Sequence, residues 1–296
     1  FKRILVLLVD KFYLRSMSTD ENYMARCLQL AALGKGLVAP NPLVGAVIVY
    51  QDSIIGEGYH QSYGGFHAEV NAINSVKDKS VLNQCTIYVS LEPCAHHGKT
   101  PPCADLLVKH NIKRVVVGCT DTSSKVRGRG IKRFREADID VEMAILQDEC
   151  RAMNKAFFTF HEKSRPHVIL KWAETKNRLI DSNSGKDGDV SWISAPETQA
   201  KVHSWRSECQ AILVGKNTII KDNPSLTVRA VDGQNPIRVI LDSRLELSPS
   251  IQVKNKDVPT IVINLSENRI DDTLEYVKID QMSVSSILEV LYKKNI

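Results

Sequence analysis

Short β-prone runs alternate with helical patterns along most of this chain, and no other feature restricts its fold so strongly. In the first half the predicted order is helix 23–33, strands 43–50 and 54–59, helix 67–76, strand 85–91, helix 103–110, strand 114–118, helix 131–137, strand 139–143 and helix 147–160. Strands and helices that alternate in this way pack as a sheet covered by helices. The pattern therefore predicts a three-layer α/β domain.

A second α/β pattern begins after the charged segment 162–166, which is predicted to be a linker. It contains predicted strands at 167–173, 211–215, 237–242 and 260–264 and predicted helices at 196–208 and 284–292. A chain of 296 residues is also long for a single hydrophobic core. We therefore predict two domains, residues 17–162 and residues 163–296.

The first sixteen residues are expected to lie outside both domains. Their apolar run, Ile4–Val9, is too short to span a bilayer, and no small-residue cleavage site for a signal peptide follows it. Met17 is a natural start, because Ser18 and Glu21 have the types and spacing of a capping box at a helix N-terminus. Residues 1–16 are therefore predicted to be a non-native or disordered extension, and no membrane partner is expected.

Composition narrows the choice of compartment and partner. A formal net charge of +5 and an aromatic content of 6% are compatible with a phosphorylated small molecule and do not favour nucleic acid. Seven cysteines, an odd number at irregular spacings, are typical of the reducing cytoplasm rather than of a disulfide framework. Two of them, Cys94 and Cys103, stand apart as candidate metal ligands.

These two cysteines belong to a pattern typical of catalytic zinc. His67-Ala68-Glu69 is expected at the start of a helix, and Cys94 and Cys103 are expected where a strand ends and the next helix begins. One imidazole and two thiolates fill three corners of a tetrahedron, which leaves the fourth for a water that zinc activates. Glu69 is the carboxylate expected to move protons between water and substrate. The combination matches the zinc deaminase signature, and a purely structural zinc site is the alternative.

The spacing of the two cysteines departs from that signature, which closes with Cys-x-x-Cys. Here eight residues separate Cys94 from Cys103, and four of them are polar: His96, His97, Lys99 and Thr100. A loop that is pinned at both ends beside the reacting water is expected to direct its polar side chains toward the substrate. A solvated basic loop is the alternative.

With these residues in view, the chain resembles the bifunctional deaminase/reductase family of riboflavin biosynthesis. The likeness rests on Pro40–Gly45, Gly56–His60, His67–Ala72 and above all Leu91–Cys103. In that family a cytidine-deaminase-like domain removes the 2-amino group of 2,5-diamino-6-(5-phosphoribosylamino)pyrimidin-4(3H)-one. The resemblance implies contacts to the pyrimidine and the ribose phosphate from Asn41, His60, His96 and Lys99.

The second half resembles the reductase domain of the same family, which is similar in fold to dihydrofolate reductase and uses NADPH to convert the ribosyl group to ribityl. Matching stretches include Ser191–Ile193, Ala211–Gly215, Asp222–Arg229 and Pro236–Ser243. The resemblance implies substrate contacts at Arg206, Leu226 and Arg229, and NADPH contacts at Ala173, Trp192, Thr218, Asp222 and Ser243. Arginine suits the substrate phosphate because a guanidinium grips phosphate bidentately.

Several departures from the family pattern bear on activity. Asp121–Ser124 stands in place of Asp-Pro-Asn-Pro, Thr175–Arg178 in place of Ser-Leu-Asp-Gly, and Val190 in place of a substrate-contacting Ser. The chain also ends at Ile296, before the family's Glu-Gly-Gly cofactor loop. The reductase domain is therefore expected to be incomplete, and we expect weak or absent reductase activity from these residues alone.

Two other functions stay open on the sequence alone. One is a deaminase of cytidine or adenosine in nucleic acid or as the free nucleoside, which the low aromatic content and the appended reductase-like half disfavour. The other is a second half that serves only as an assembly module. The favoured hypothesis is a cytoplasmic homo-oligomer that binds zinc and NADPH and acts on a small phosphorylated pyrimidine.

Overall fold

The computed structural model describes residues 17–96, 101–123, 126–180 and 193–296, apart from the side chain of Pro196. The chain divides into two compact units. The first unit comprises the described residues up to Gly34 together with 43–154, and the second comprises 35–42 and the described residues from 155 onward. Each unit has its own sheet and its own hydrophobic core. The domain limits proposed above, 17–162 and 163–296, stay predictions, and residues 1–16 lie outside the described part.

The first unit is built on a five-stranded sheet in the order β2-β1-β3-β4-β5. Its elements are α1 (Thr19–Ala32), β1 (Gly45–Tyr50), β2 (Ser53–Tyr59), α2 (Ala68–Ser75), a 3-10 helix (Lys79–Gln84), β3 (Thr86–Leu91), α3 (Cys103–Lys109), β4 (Arg114–Cys119), α4 (Arg129–Glu136), β5 (Asp140–Met143) and α5 (Gln147–Met153). β1 is antiparallel to β2 and β3, whereas β3, β4 and β5 run parallel.

Helices cover both faces of this sheet, since successive strand residues point to opposite faces. Ala46 and Ile48 of β1 join the core that α2, α3 and α4 complete on one face. On the other face α1 packs on β1 and β3, and the Cys27 thiol of α1 donates to the Tyr88 carbonyl of β3 at 3.3 Å. α5 packs on β4 beside α1. The predicted three-layer arrangement is confirmed.

The close approach of α2 to β2 depends on Gly58. A Cβ atom at this position would lie 2.3 Å from the Ala72 nitrogen and 2.5 Å from the Ala68 carbonyl oxygen, closer than real Cβ atoms come. Because α2 begins directly after His67, this contact decides how deeply the first turn of α2 sits against the sheet. A side chain at position 58 would push His67 and Glu69 outward.

The second unit is built on a five-stranded sheet in the order β6-β7-β8-β10-β9. Its elements are α6 (Lys155–Lys163), α7 (Pro196–Glu208), β6 (Ala211–Gly215), α8 (Lys216–Asp222), β7 (Ile237–Leu241), a 3-10 helix (Gln252–Lys254), β8 (Thr260–Asn264), β9 (Arg269–Asp271), β10 (Leu274–Lys278) and α9 (Val284–Lys293). β9 is antiparallel to β10, and the other neighbouring pairs are parallel. No helix in the described part of the chain combines the length and the hydropathy that crossing a bilayer requires.

Two predicted elements are wrong. No strand forms at 167–173, where Ile169 is 67% exposed and Leu170 is 78% exposed. A β-prone run becomes a strand only where a neighbouring strand takes up its backbone hydrogen bonds, and none of the described strands pairs with this segment. The single helix predicted at 147–160 is interrupted at Asn154, whose buried side-chain amide bonds both backbone groups of Leu43, at 2.7 and 2.8 Å.

Candidate active site

Three metal-ligating side chains of the first unit converge where strands end and helices begin. His67 is the N-cap residue of α2, and Cys103 is the first residue of α3. Cys94 follows the end of β3 by three residues. Helix N-termini carry partial positive charge, so both helices favour the thiolate form of the cysteines. The predicted placement of the three residues at helix starts and at a strand end is what the structure shows.

The geometry of this cluster fits a tetrahedral metal ion. His67 Nδ1 lies 3.5 Å from Cys94 Sγ and 3.3 Å from Cys103 Sγ, and the three ligand atoms all lie within 4.8 Å of one another. With Zn–S near 2.3 Å and Zn–N near 2.0 Å, a tetrahedral site separates nitrogen from sulfur by about 3.6 Å. Two thiolates and one imidazole are also a donor set that zinc prefers. The residues present therefore fit zinc.

Hydrogen bonds within the cluster set the charge on the sulfurs. The pKa of Cys94 lies well below its usual range because Cys103 donates a hydrogen bond to it, and His67 adds a second. The backbone N–H of Cys103 also donates to Cys94 Sγ at 3.3 Å. The pKa of Cys103 is raised because its thiol is the donor to Cys94 and because it is buried. Zinc ligation needs both sulfurs as thiolates, so binding the metal displaces the proton of Cys103.

Glu69 lies in the first turn of α2, two residues after the His67 ligand, and is 3% exposed. The pKa of Glu69 is raised to about 7, because burial and the charge of Cys94 raise it and the charge of His67 opposes them only in part. The Cys103 thiol is within hydrogen-bonding reach of the Glu69 carboxylate as well as of Cys94, and its one proton can serve either acceptor. A carboxyl group placed here can both accept and release a proton near neutral pH, as general acid–base catalysis requires.

His60 is brought to the metal cluster from the end of β2. Its ring lies edge-on to the ring of His67, with 5.4 Å between the centroids, and is almost fully buried. His60 Nδ1 lies 3.0 Å from the carbonyl oxygen of Phe66, and Asn71 of α2 donates to the carbonyl of Tyr59 at 2.8 Å. Burial lowers the pKa of His60, and the charge of His67 lowers it further, against the effect of the Phe66 carbonyl. A neutral His60 therefore lies beside the metal ligand His67, and its contact with the substrate stays a prediction.

The structure gives less information on the other residues that are predicted to contact the deaminase substrate. His96 is partly buried, and its Nδ1 atom has no hydrogen-bonding partner among the described residues, which suits a group that meets a ligand. Asn41 clusters with the second unit. Lys99, together with His97 and Thr100, lies outside the described residues. The substrate contacts of Asn41, His96 and Lys99 stay predictions.

Glu92 is a buried carboxylate of the site that sequence reasoning missed. It follows β3 directly, is 3% exposed, and accepts backbone hydrogen bonds from Asp121 at 3.3 Å, Gly128 at 3.1 Å and Gly130 at 3.2 Å. Burial raises the pKa of Glu92, and these backbone donors oppose that rise. Glu92 thus joins the N-terminus of α4 to the turn that carries Cys94. The signal available in the sequence was a carboxylate next to Pro93, followed by the glycines of 128–130.

Replacing Glu92 with Gln is expected to lower the free energy of unfolding of the zinc-loaded protein by about 1–3 kcal/mol, because the amide NH₂ faces backbone N–H donors that it cannot satisfy. Urea denaturation measures this change, and hydrogen exchange at the amides of Gly128 and Gly130 should accelerate. Glu136→Gln, at an exposed carboxylate of α4 paired with Lys132, is the control and should change stability by less than about 0.5 kcal/mol. Equal effects of the two substitutions would contradict the role of Glu92.

In the second unit two of the predicted substrate residues, Arg206 and Arg229, are close enough for their charges to interact, and neither has a counter-ion among the described residues. Arg206 Nη1 donates to the Thr227 carbonyl at 2.6 Å, while its buried Nε has no hydrogen-bonding partner in the described structure. Arg229 Nη1 donates to Ser225 Oγ at 3.2 Å. Burial lowers the pKa of Arg206, and the charge of Arg229 lowers it further. Two guanidinium groups this close are suited to an anion.

Leu226, the third predicted substrate residue of this unit, lies on the same segment as Arg229. Its backbone is left-handed, with φ at +55°, and its side chain is buried in the core. Residues with a side chain rarely adopt this conformation, and local strain of this kind is concentrated at functional sites. The observation supports a functional segment, and the substrate contact of Leu226 itself stays a prediction.

Three of the five predicted NADPH residues follow the carboxyl ends of parallel strands, the region where nucleotides bind in α/β sheets. Thr218 and Asp222 lie on α8, which starts where β6 ends, and Ser243 follows β7. The space beside Gly215, the last residue of β6, is open, since a Cβ there would meet no atom within 4 Å. These residues fit a bound nucleotide. Ala173 lies in the segment that forms no strand, and Trp192 and Val190 are outside the described residues, so their predicted roles are untested.

Comparisons with known proteins match both units. The family model of the cytidine and deoxycytidylate deaminase zinc-binding region matches residues 17–119, and that of the RibD C-terminal domain matches residues 166–296. The riboflavin biosynthesis protein RibD of Aquifex aeolicus (strain VF5) is 43% identical over 251 residues, which cover 84% of this chain and 69% of that protein. RibD of Synechocystis sp. is 36% identical over 287 residues, which cover 94% of this chain and 77% of that protein.

Solved structures agree with these relatives. A diaminohydroxyphosphoribosylaminopyrimidine deaminase/5-amino-6-(5-phosphoribosylamino)uracil reductase from Thermotoga maritima matches with a TM-score of 0.85 and 41% identity. The match covers 94% of this chain and 79% of that one. RibD of Acinetobacter baumannii matches with a TM-score of 0.84 and 33% identity, over 93% of this chain and 78% of that one. The likeness therefore spans both units.

Proposed function

Because the chain belongs to the RibD family of riboflavin biosynthesis proteins, we propose that it catalyses two successive steps on a phosphorylated pyrimidine. The first is hydrolytic removal of the 2-amino group of 2,5-diamino-6-(5-phosphoribosylamino)pyrimidin-4(3H)-one. The second is NADPH-dependent reduction of the ribosyl group of the product to ribityl. The observation that carries the first step is the convergence of His67, Cys94 and Cys103 with Glu69 buried beside them.

The residues at the metal site of the first unit have separate roles in the deamination. His67, Cys94 and Cys103 would hold the metal, and zinc, when bound, supplies a Lewis acid that makes water a nucleophile at neutral pH. Glu69 takes one proton from that water and delivers it to the ring nitrogen as the C–O bond forms. It then carries the second proton from the new hydroxyl group to the amino nitrogen, so the C–N bond breaks and ammonia leaves. The buried ring of His60 restricts the space beside the ligand and offers a polar edge to the pyrimidine.

The second unit supports the reduction through its charge and its open sheet edge. Arg206 and Arg229 bind the substrate phosphate, since neither has a carboxylate of a described residue within salt-bridge distance. Thr218, Asp222 and Ser243 line the nucleotide edge, and NADPH, when bound, supplies the hydride. His67, Glu69, Cys94 and Cys103 belong to the first unit and Arg206, Arg229, Thr218, Asp222 and Ser243 to the second, so deamination and reduction use different side chains.

The compartment and assembly are also part of this proposal. All seven cysteines are free thiols, and five of them are buried, which is consistent with a reducing compartment such as the cytoplasm. We also propose that the chain forms a homo-oligomer, as the sequence hypothesis above states. Light scattering on the purified chain would measure its molar mass in solution. The substrate is a small phosphorylated pyrimidine, and neither unit is assigned a nucleic-acid partner.

The zinc-loaded protein is expected to release one ammonia per molecule of the diaminopyrimidine phosphate and none from cytidine or adenosine, whether free or in a single strand. A coupled assay measures ammonia and then NADPH absorbance in the same mixture. Any NADPH consumption should begin only after ammonia has appeared, because the deaminated product is the second substrate. Faster release from cytidine, or NADPH consumption without prior deamination, would overturn the proposed order of steps.

A further inference from the structure

The anion site of the second unit contains a buried histidine that neither the motif nor the proposed function includes. His203 lies on α7, one helical turn before Arg206, so both side chains project from the same face of the helix. It is 6% exposed, and the charges of Arg206 and Arg229 both act on it. A buried polar ring thus lies near two cations.

One hydrogen bond determines the protonation state of this ring. The backbone N–H of Arg229 donates to His203 Nδ1 at 3.2 Å. An imidazole nitrogen accepts only when it carries no proton, so the ring is the neutral form with its hydrogen on Nε2. Burial lowers the pKa of His203, and the two guanidinium charges lower it further. The surroundings therefore keep Nδ1 available as an acceptor.

The same bond ties the segment Ser225–Arg229 to α7. Arg206 on α7 holds the Thr227 carbonyl at 2.6 Å, and His203 holds the Arg229 nitrogen two residues further on. A third bond, from the Val228 N–H to Asn235 Oδ1 at 2.7 Å, anchors the segment from the other side. The backbone from which the Arg229 side chain projects is thereby fixed relative to Arg206.

We propose that His203 is a positioning residue for the anion site: by accepting the Arg229 backbone N–H, it sets the spacing of the Arg206 and Arg229 guanidinium groups so that both can bind one phosphate monoester. The inference rests on the proposed function, which assigns the substrate phosphate to these arginines. Preorganisation of this kind raises affinity because the two charges need no rearrangement when the anion arrives. His203 itself need not touch the phosphate.

The experiment measures binding of ribose 5-phosphate to the full chain by calorimetry, without NADPH. His203→Ala should weaken binding by about tenfold, since it removes the part-buried hydrogen bond of the Arg229 backbone N–H and frees the segment. His203→Asn places an amide oxygen near the former Nδ1 and should stay within about threefold of the parent. His161→Ala, at an exposed histidine of α6 in the same unit, is the control and should bind normally.

The arginine variants separate failure of this inference from failure of the proposed function. Arg206→Ala and Arg229→Ala should each weaken ribose 5-phosphate binding by about tenfold or more. If neither weakens binding, the assignment of the phosphate to this site is wrong. If both weaken it but His203→Ala binds like the parent, even with a lower unfolding temperature, the histidine is merely structural and the positioning role is overturned.

Nitrogen-15 NMR of the histidine ring in the unaltered protein is a second measurement, and it applies even where His203→Ala does not fold. At neutral pH, Nδ1 of His203 should show the chemical shift of an unprotonated nitrogen and Nε2 that of a protonated one. Addition of ribose 5-phosphate should shift these resonances without changing the tautomer. A proton on Nδ1 would overturn the inference, because the Arg229 N–H could not then be accepted.

Discussion

Replacing Glu69 with Gln is expected to lower kcat for ammonia release by about 10²–10⁴-fold while the protein keeps its zinc, which is the usual contribution of a positioned proton carrier. Gln has nearly the same shape as Glu, but its side-chain amide does not take up a proton near neutral pH. Since Glu69 is not one of the three ligand residues, the metal content should not change. Mass spectrometry measures the zinc stoichiometry and tests whether the variant keeps its metal. The rate of ammonia release measures kcat and tests the loss of activity.

Glu57→Gln is the matched control for this substitution. Glu57 lies on β2, which packs against α2, and pairs with Arg26 at 2.7 Å. It has the same carboxyl group as Glu69 but at a partly exposed position. Its loss should leave kcat within about twofold of the parent, because exposed ion pairs contribute little. If Glu69→Gln keeps both its zinc and its full kcat, the metal site is structural and Glu69 moves no proton.

Replacing Cys103 with Ala is expected to abolish stoichiometric zinc binding and to lower kcat/KM for deamination by about 10³-fold or more, since a bound metal contributes several kcal/mol of transition-state stabilisation. Only two of the three ligands would remain. The Cys94 thiolate would also lose its hydrogen bond from Cys103. Metal analysis after dialysis, followed by the ammonia assay with added zinc, measures the effect.

Cys85→Ala controls for the loss of a buried thiol as such. Cys85 is fully buried in the same unit, and its thiol donates to the Val81 carbonyl at 3.2 Å, away from the metal cluster. This variant should retain one zinc per chain and lose only the stability that a small cavity costs. Full activity of Cys103→Ala in metal-free buffer would contradict a zinc-dependent reaction.

Local patterns were sufficient for the elements whose hydrogen bonds and packing are decided nearby in sequence. The helix beginning at Thr19 has its capping box, with Ser18 Oγ accepting from the Glu21 N–H at 3.2 Å and the Ser18 N–H donating to Glu21 at 2.7 Å. β3 and α3 flank the cysteine loop as the motif predicts. The failed predictions have a common cause. The strand predicted at 167–173 required a neighbouring strand to take up its hydrogen bonds. The helix predicted at 147–160 is interrupted because the Asn154 side chain bonds the backbone of Leu43, 111 residues away.

The chemistry of the metal site was determined by the sequence itself, because His67, Cys94 and Cys103 supply a donor set that zinc prefers and Glu69 supplies a proton carrier beside them. Their spacing places them at helix starts and at a strand end. Only the tertiary structure decided how that centre is supported. It placed the Glu92 carboxylate within hydrogen-bonding distance of the backbone amides of Asp121, Gly128 and Gly130, and His60 against the ring of His67. It also brought His203 Nδ1 to the backbone N–H of Arg229. These contacts join residues that are far apart in the chain, and their energies depend on burial and distance, which no local pattern encodes.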